Sequence, residues 1–165
     1  MISRRTLLKT SATAAAALPL LPVLGRAKPG WRAAAEASPL IYLTPIQSNG
    51  AESRCQAEIW FASFGGAMYV VTATEAWRAQ AIRQGLSQAR IWVGDVGTWH
   101  RADGGYKALP MVGANASIET DAAVQGQVLE VMGGKYSDGW DTWGPRFRNG
   151  LADGSRVMLK YEPTA

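Results

Sequence analysis

The densest chemistry in this 165-residue chain lies in Tyr69-Val-Val-Thr-Ala-Thr-Glu-Ala-Trp-Arg-Ala-Gln-Ala-Ile-Arg83. A β-branched run delivers Thr72 and Thr74 to the start of a short helical pattern that carries Trp77, Arg78 and, just beyond its first turn, Arg83. Free backbone N–H groups at a helix start, hydroxyls and guanidinium groups together are what a phosphate monoester needs. The same residues admit a plainer reading. Thr72 and Thr74 would then act only as caps, with Arg78 and Arg83 as solvated helix charges.

Other chemistries are thinly supplied. Cys55 is the only cysteine and His100 the only histidine. No internal disulfide or thiolate metal cluster can form within one chain, and a zinc site built on several imidazoles is excluded. A histidine-dependent triad would have to use His100, which sits in Thr98-Trp99-His100-Arg101 and reads as an exposed strand-end residue. Cys55 reads as an inert small residue before a strand. Asp95 and Asp103 make no helix-spaced carboxylate pair, so glycosidase chemistry has no support. Redox chemistry would have to be carried by a bound cofactor.

Six tryptophans, Trp60, Trp77, Trp92, Trp99, Trp140 and Trp143, fall within the 39–165 region. Indole rings can stack on a flat ligand or close a pocket, and in strands they equally fill cores and interfaces. The segment 139–146, Gly-Trp-Asp-Thr-Trp-Gly-Pro-Arg, is too aromatic for an idle loop and reads as a lid or as packing between protomers.

These residues need strands to position them. Residues 41–47 read as a first strand, with Pro45 placing it at an edge or bulge. Runs at 56–64 and 67–73 flank Gly65-Gly66, a pair that tolerates the positive φ of a tight hairpin. A helix is expected over 75–84, capped by Thr74 and stopped by Gly85, then strands at 89–96 and 98–102. Residues 111–119 make a weak strand pattern. Thr120 is placed to cap a helix over 121–132, with Val124, Val128, Leu129 and Met132 as its apolar stripe and Gly133-Gly134 as its stop. Residues 140–149 read as a loop or short helix and 155–161 as a last strand. The expected fold class is mainly β (α+β), a small antiparallel split β-barrel with two inserted helices.

This order resembles the pyridoxamine 5′-phosphate oxidase-like, FMN-binding split β-barrel family: strand, Gly hairpin, a strand reading Tyr-Val-Val-Thr, then a Trp-Arg helix and a further strand. The resemblance covers residues 40–120 and extends to the last strand. It implies FMN at a dimer interface, with a deazaflavin as the alternative cofactor, and a homodimer acting on a small-molecule substrate. Carried over, Thr72 and Thr74 would donate hydroxyls to the phosphate, Arg78 would be the family's basic residue at the helix start, and Arg83 a secondary contact. Trp77 stands where many members have Ser or Gly, Gln80 lies near the position of the usual Asn, and Arg54 is the only candidate in the first strands for a second flavin-anchoring arginine.

The N-terminus reads as an address. Ser3-Arg4-Arg5-Thr6-Leu7-Leu8-Lys9 precedes an apolar, alanine-rich run that ends at Gly25-Arg26-Ala27. A charged segment, a short apolar run and small residues at the cut make a secretory signal. The paired arginines resemble the twin-arginine translocation signal, which exports proteins already folded, commonly around a cofactor. The expected organisation is a signal peptide over 1–27 (alternative cut after 37), a tether over 28–38 and a barrel domain over 39–165. The apolar run, broken by Pro19 and Pro22, is too short to span ~30 Å of hydrocarbon, so no stable membrane anchor is expected after cleavage. The implied location is the periplasm. The +4 formal charge belongs to the signal, because beyond residue 27 the chain carries 13 basic and 13 acidic residues. A neutral domain offers no footprint for nucleic acid. Beside the flavin-dependent oxidoreductase stand two other readings: a non-catalytic small-ligand-binding barrel and a structural envelope protein.

Overall fold

The computed structural model describes residues 30–164. The signal segment 1–27 and residues 28–29 of the expected tether lie outside the described residues.

Seven strands form one antiparallel sheet: β1 (Ile41–Pro45), β2 (Ala57–Ile59), β3 (Ala62–Phe64), β4 (Ala67–Ala73), β5 (Gln88–Val93), β6 (Met111–Glu119) and β7 (Arg156–Pro163). Their order across the sheet is β2-β1-β5-β6-β7-β4-β3. The two edge strands are consecutive in the chain, with only Trp60 and Phe61 between them. Consecutive Cα atoms lie 3.8 Å apart, so the sheet has to curl until its edges approach one another. The expected single strand over 56–64 is thus two short ones, each paired to a different edge. This curled half-barrel is the split-barrel architecture that the strand pattern implied.

Local chemistry explains most of the hairpins and helices. Gly65 and Gly66 join β3 to β4 at φ +57 and +82, the doubly positive turn whose twist matches antiparallel strands. Helix α3 (Ala122–Lys135) buries Val128, Leu129 and Met132, three of the four residues of the expected stripe. Its cap is Asp121, whose side chain accepts from the N–H groups of Ala123 and Val124 at 2.8 and 3.3 Å, and not Thr120. The helix also runs through Gly133-Gly134 instead of stopping there. A Cβ on Gly133 would lie 2.8 Å from the Trp140 indole nitrogen, so this glycine makes room for a neighbour.

Among the described residues there are four α-helices, where two inserted helices were expected. Residues 31–37 of the expected tether form α1 (Trp31–Ala37), with Ala35 buried against the sheet core. Helix α2 is shorter than the sequence pattern, Trp77–Arg83. The 140–149 segment is helical within α4 (Ser137–Asp153), which is broken at Asp138 and at Gly139, φ +91. Residues 98–102, expected as a strand, are turns that lead to a 3-10 turn at Gly105–Ala108. No strand partner reaches them, because β5 leaves its ladder at Val93.

Alternation along β4 sorts the two main cores. Met68 and Val70 face the barrel interior with Ile41, Leu43, Phe61, Ile91, Leu159 and Tyr161. Tyr69 and Val71 face the other way, toward α3 and α4, with Met132, Tyr136, Phe147 and Met158. A third cluster, Tyr42, Trp92 and Tyr106, holds the 94–109 segment against the sheet.

Candidate functional site

The β4–α2 junction is fixed by backbone bonds. The Thr74 N–H donates to the Ser155 carbonyl at 2.9 Å, and its hydroxyl donates to the Gly154 carbonyl. The Thr74 carbonyl accepts from Gln80 Nε2 at 2.8 Å and from Arg83 Nη1 at 3.1 Å. Thr74 therefore organises the turn that precedes α2 instead of capping the helix. The residue before the first helical turn is Ala76, with no side-chain cap. Arg83, exposed at the far end of the helix, is committed to holding that turn. Thr72 pairs with Val157 of β7, is 9% exposed, and shares the interior face with Val70.

Arg78 behaves differently from a solvated helix charge. Its Nη2 donates to Cys55 Sγ at 3.8 Å, and its Nε is buried with no hydrogen-bond partner. It forms no salt bridge among the described residues. The guanidinium also lies close enough to Tyr161 to act on its hydroxyl. Burial pushes that phenol well above its usual range, and the Arg78 charge opposes the shift. Trp77, the next residue back, is 43% exposed and shares with Val96 the greatest exposure among the large apolar side chains of the described residues. Cys55 is thus in contact with the arginine, while the neighbouring Arg54 is exposed.

The other sequence-marked residues stay apart from this junction. His100 is exposed in a turn, its ring tilted against Trp99 with centroids 3.7 Å apart. Asp95 accepts the Gly97 N–H at 3.0 Å, an ordinary turn contact. Among the described residues no His, Cys, Asp or Glu cluster could hold a metal ion, and no helix is long and apolar enough to cross a membrane. Glu52 joins Arg90 at 2.7 Å and Lys107 at 2.8 Å. Burial pushes the Glu52 carboxyl up, but those hydrogen bonds outweigh it and hold it below its usual range. This triad fastens the 3-10 turn to β5.

Sequence reasoning passed over Lys135 and Tyr136, which sit at the split in the barrel. The Tyr136 ring stacks on Trp60, centroids 4.3 Å apart and planes within 4°. Lys135 Nζ lies 3.4 Å from the Phe61 ring centroid, and burial brings its pKa down to about 8. The apolar stripe marks α3 in the sequence, but nothing local marks Lys135 at its end or Tyr136 just after it. The expected aromatic segment divides: Trp140 packs against Gly133 and Gly144, while Trp143 stays 37% exposed beside Trp60.

No family model and no curated protein matches the sequence. Solved structures do. The heme storage protein HutZ from Vibrio cholerae is 16% identical, covering 86% of this chain and 92% of its own, with a TM-score of 0.56. An F420 reductase is 16% identical over 84% of this chain and 96% of that one, TM-score 0.53. A candidate pyridoxamine 5′-phosphate oxidase from Listeria innocua is 17% identical over 81% and 90%, TM-score 0.52. At such identities the likeness is one of fold. The curled seven-stranded sheet, its strand order and these neighbours together give the chain the split-barrel fold of pyridoxamine 5′-phosphate oxidase-like proteins.

Proposed function

We propose that this protein is an exported, homodimeric, flavin-binding oxidoreductase that holds the phosphate of FMN, or of a deazaflavin, on Arg78. The observation that carries this reading is the orphaned Nε of Arg78. A buried donor without a partner costs about 1–3 kcal/mol, more when it belongs to a charged group. A phosphate oxygen would remove that cost and neutralise a cation with no carboxylate beside it among the described residues. The residues present therefore fit the group. Helix α2 is seven residues long, too short for its dipole to do the anchoring, so the guanidinium carries the charge. Thr72 offers a hydroxyl on β4, Thr74 is engaged with the Gly154 carbonyl and shapes the turn that Arg83 and Gln80 hold in place, and the exposed Trp77 indole offers an apolar cover. The bound flavin would supply hydride or electron transfer, and the protein would bind and orient it.

The Arg4-Arg5 pair supports export through the twin-arginine route, which suits a protein folded around a cofactor before transport. The likeness to a heme storage protein supports a second reading, a non-catalytic barrel that binds a small ligand. Colour separates the two. Purified protein that is yellow, or that becomes yellow on reconstitution with FMN and desalting, supports the flavin reading. A colourless protein that retains no FMN overturns it.

A further inference from the structure

A pocket lies on the opposite face of the sheet from Arg78. We infer that this cleft, between the barrel split and the second half of α4, binds a small planar heteroaromatic carrying one carboxylate and a ring N–H. Its volume is about 440 Å³, and its walls include Ile59, Trp60, Val71, Trp143 and Phe147, with Glu58 and Arg156 as polar groups. Val71 points toward α4, whereas Thr72 and Tyr161, the latter within reach of Arg78, point into the barrel. The two sites therefore use different faces of one strand, and this inference does not depend on the flavin reading.

The cleft is held open by fixed parts. Trp60 is braced by its stack on Tyr136 and meets Trp143 edge to face at 6.4 Å. Gly139, in the left-handed region at φ +91, places the kink of α4 where a Cβ would come within 3.5 Å of the Trp60 ring. Gly150 has a clear task in mid-helix: a Cβ there would lie 2.7 Å from Arg156 Cγ and Cδ. Glycine inside a helix is less favourable than alanine, and this one lets the Arg156 stem lie against α4.

Polar chemistry then selects the occupant. The Arg156 guanidinium sits 5.9 Å from the Trp143 ring and 5.5 Å from Phe147, with no carboxylate partner among the described residues. It is positioned for one anionic oxygen pair beside an aromatic wall. Glu58, whose Oε2 accepts the Trp99 N–H at 3.2 Å, brings a negative charge to the same cleft. That charge rejects a doubly anionic ligand and accepts a ring N–H. Indole carboxylates have this combination in one small plane.

The test titrates indole-3-acetate into the flavin-free protein by calorimetry. Saturable one-site binding with Kd below about 1 mM is expected. Arg156→Gln should weaken it about 10- to 100-fold, the loss of one charge-assisted contact. Naphthalene-1-acetate, which lacks the N–H, should bind more weakly than the indole. Arg78→Ala should leave indole-3-acetate affinity unchanged, which separates this site from the cofactor site. If Arg156→Gln lowers the melting temperature, Trp143→Ala at an exposed position replaces it and should also weaken binding. Absence of saturable binding, or equal affinity in wild type and both cleft variants, overturns the inference.

Discussion

The hydroxyl of Tyr136 stands in for a neighbouring strand at Phe61. The Phe61 N–H donates to it at 2.9 Å, and it lies 2.9 Å from both the Phe61 and Pro39 carbonyls, donating its single proton to one of them. Phe61 falls where the chain passes from one sheet edge to the other, so no ladder partner is available. Burial pushes the Tyr136 phenol up to about 12, so it stays protonated and able to donate across the physiological range.

Tyr136→Phe should therefore destabilise the domain by about 1–3 kcal/mol, the cost of leaving a buried backbone group unpaired. Urea unfolding followed by tryptophan fluorescence measures it. A midpoint equal to wild type would mean that water satisfies Phe61 and that the split is not latched by this side chain.

Two glycines of similar local context should respond with opposite signs. A Cβ at Gly144 would meet Trp140 at 2.8 Å, whereas one at Gly126 in α3 meets nothing within 4 Å. Gly144→Ala should cost about 1–3 kcal/mol through overpacking. Gly126→Ala should add about 0.4–1 kcal/mol by raising helix propensity and restricting the unfolded chain. Thermal melting of the two variants side by side gives both signs in one experiment.

Arg78→Ala should weaken FMN binding by about 10- to 100-fold, since a charge-assisted contact contributes about 1.5–3 kcal/mol. Riboflavin, which has no phosphate, should bind wild type and variant alike. Fluorescence titration of both ligands against both proteins decides it. Equal FMN affinities would return Arg78 to a structural role beside Cys55.

Lys135 predicts a pH dependence. Its pKa falls from 10.5 to about 8 in the folded protein because burial disfavours the charged ammonium. Between these values the unfolded chain binds more protons than the folded one, so stability rises with pH through this window. The penalty is fully present below about pH 8. Lys135→Met should remove the slope, so the stability difference between variant and wild type shrinks from pH 7 toward pH 10. Urea midpoints across that range test it, and a difference that does not change with pH contradicts the assignment.

Replacing Arg4 and Arg5 together by lysine should leave the precursor in the cytoplasm if the twin-arginine route carries it. Cell fractionation reads the outcome. Undiminished mature protein outside the inner membrane would sink the export proposal.

Features that depend on neighbours a few residues apart were legible in the sequence. The Gly65-Gly66 hairpin and the apolar stripe of α3 arise from local φ preference and periodicity, and each lies where that chemistry puts it. What remained hidden depends on partners far along the chain. The run 56–64 has uniform strand propensity, and only the closing of the sheet divides it, with Phe61 satisfied by a residue 75 positions away. Residues 98–102 carry strand character but find no ladder. Arg78 reads locally as a helix-surface charge, and its meeting with Cys55 and Tyr161 exists only because β7 lies beside β4 and the loop before β2 folds back over α2. Residue type and spacing thus determined which groups could do chemistry. Sheet closure decided which of them lost their water and their partners, because desolvation is a property of the packed whole.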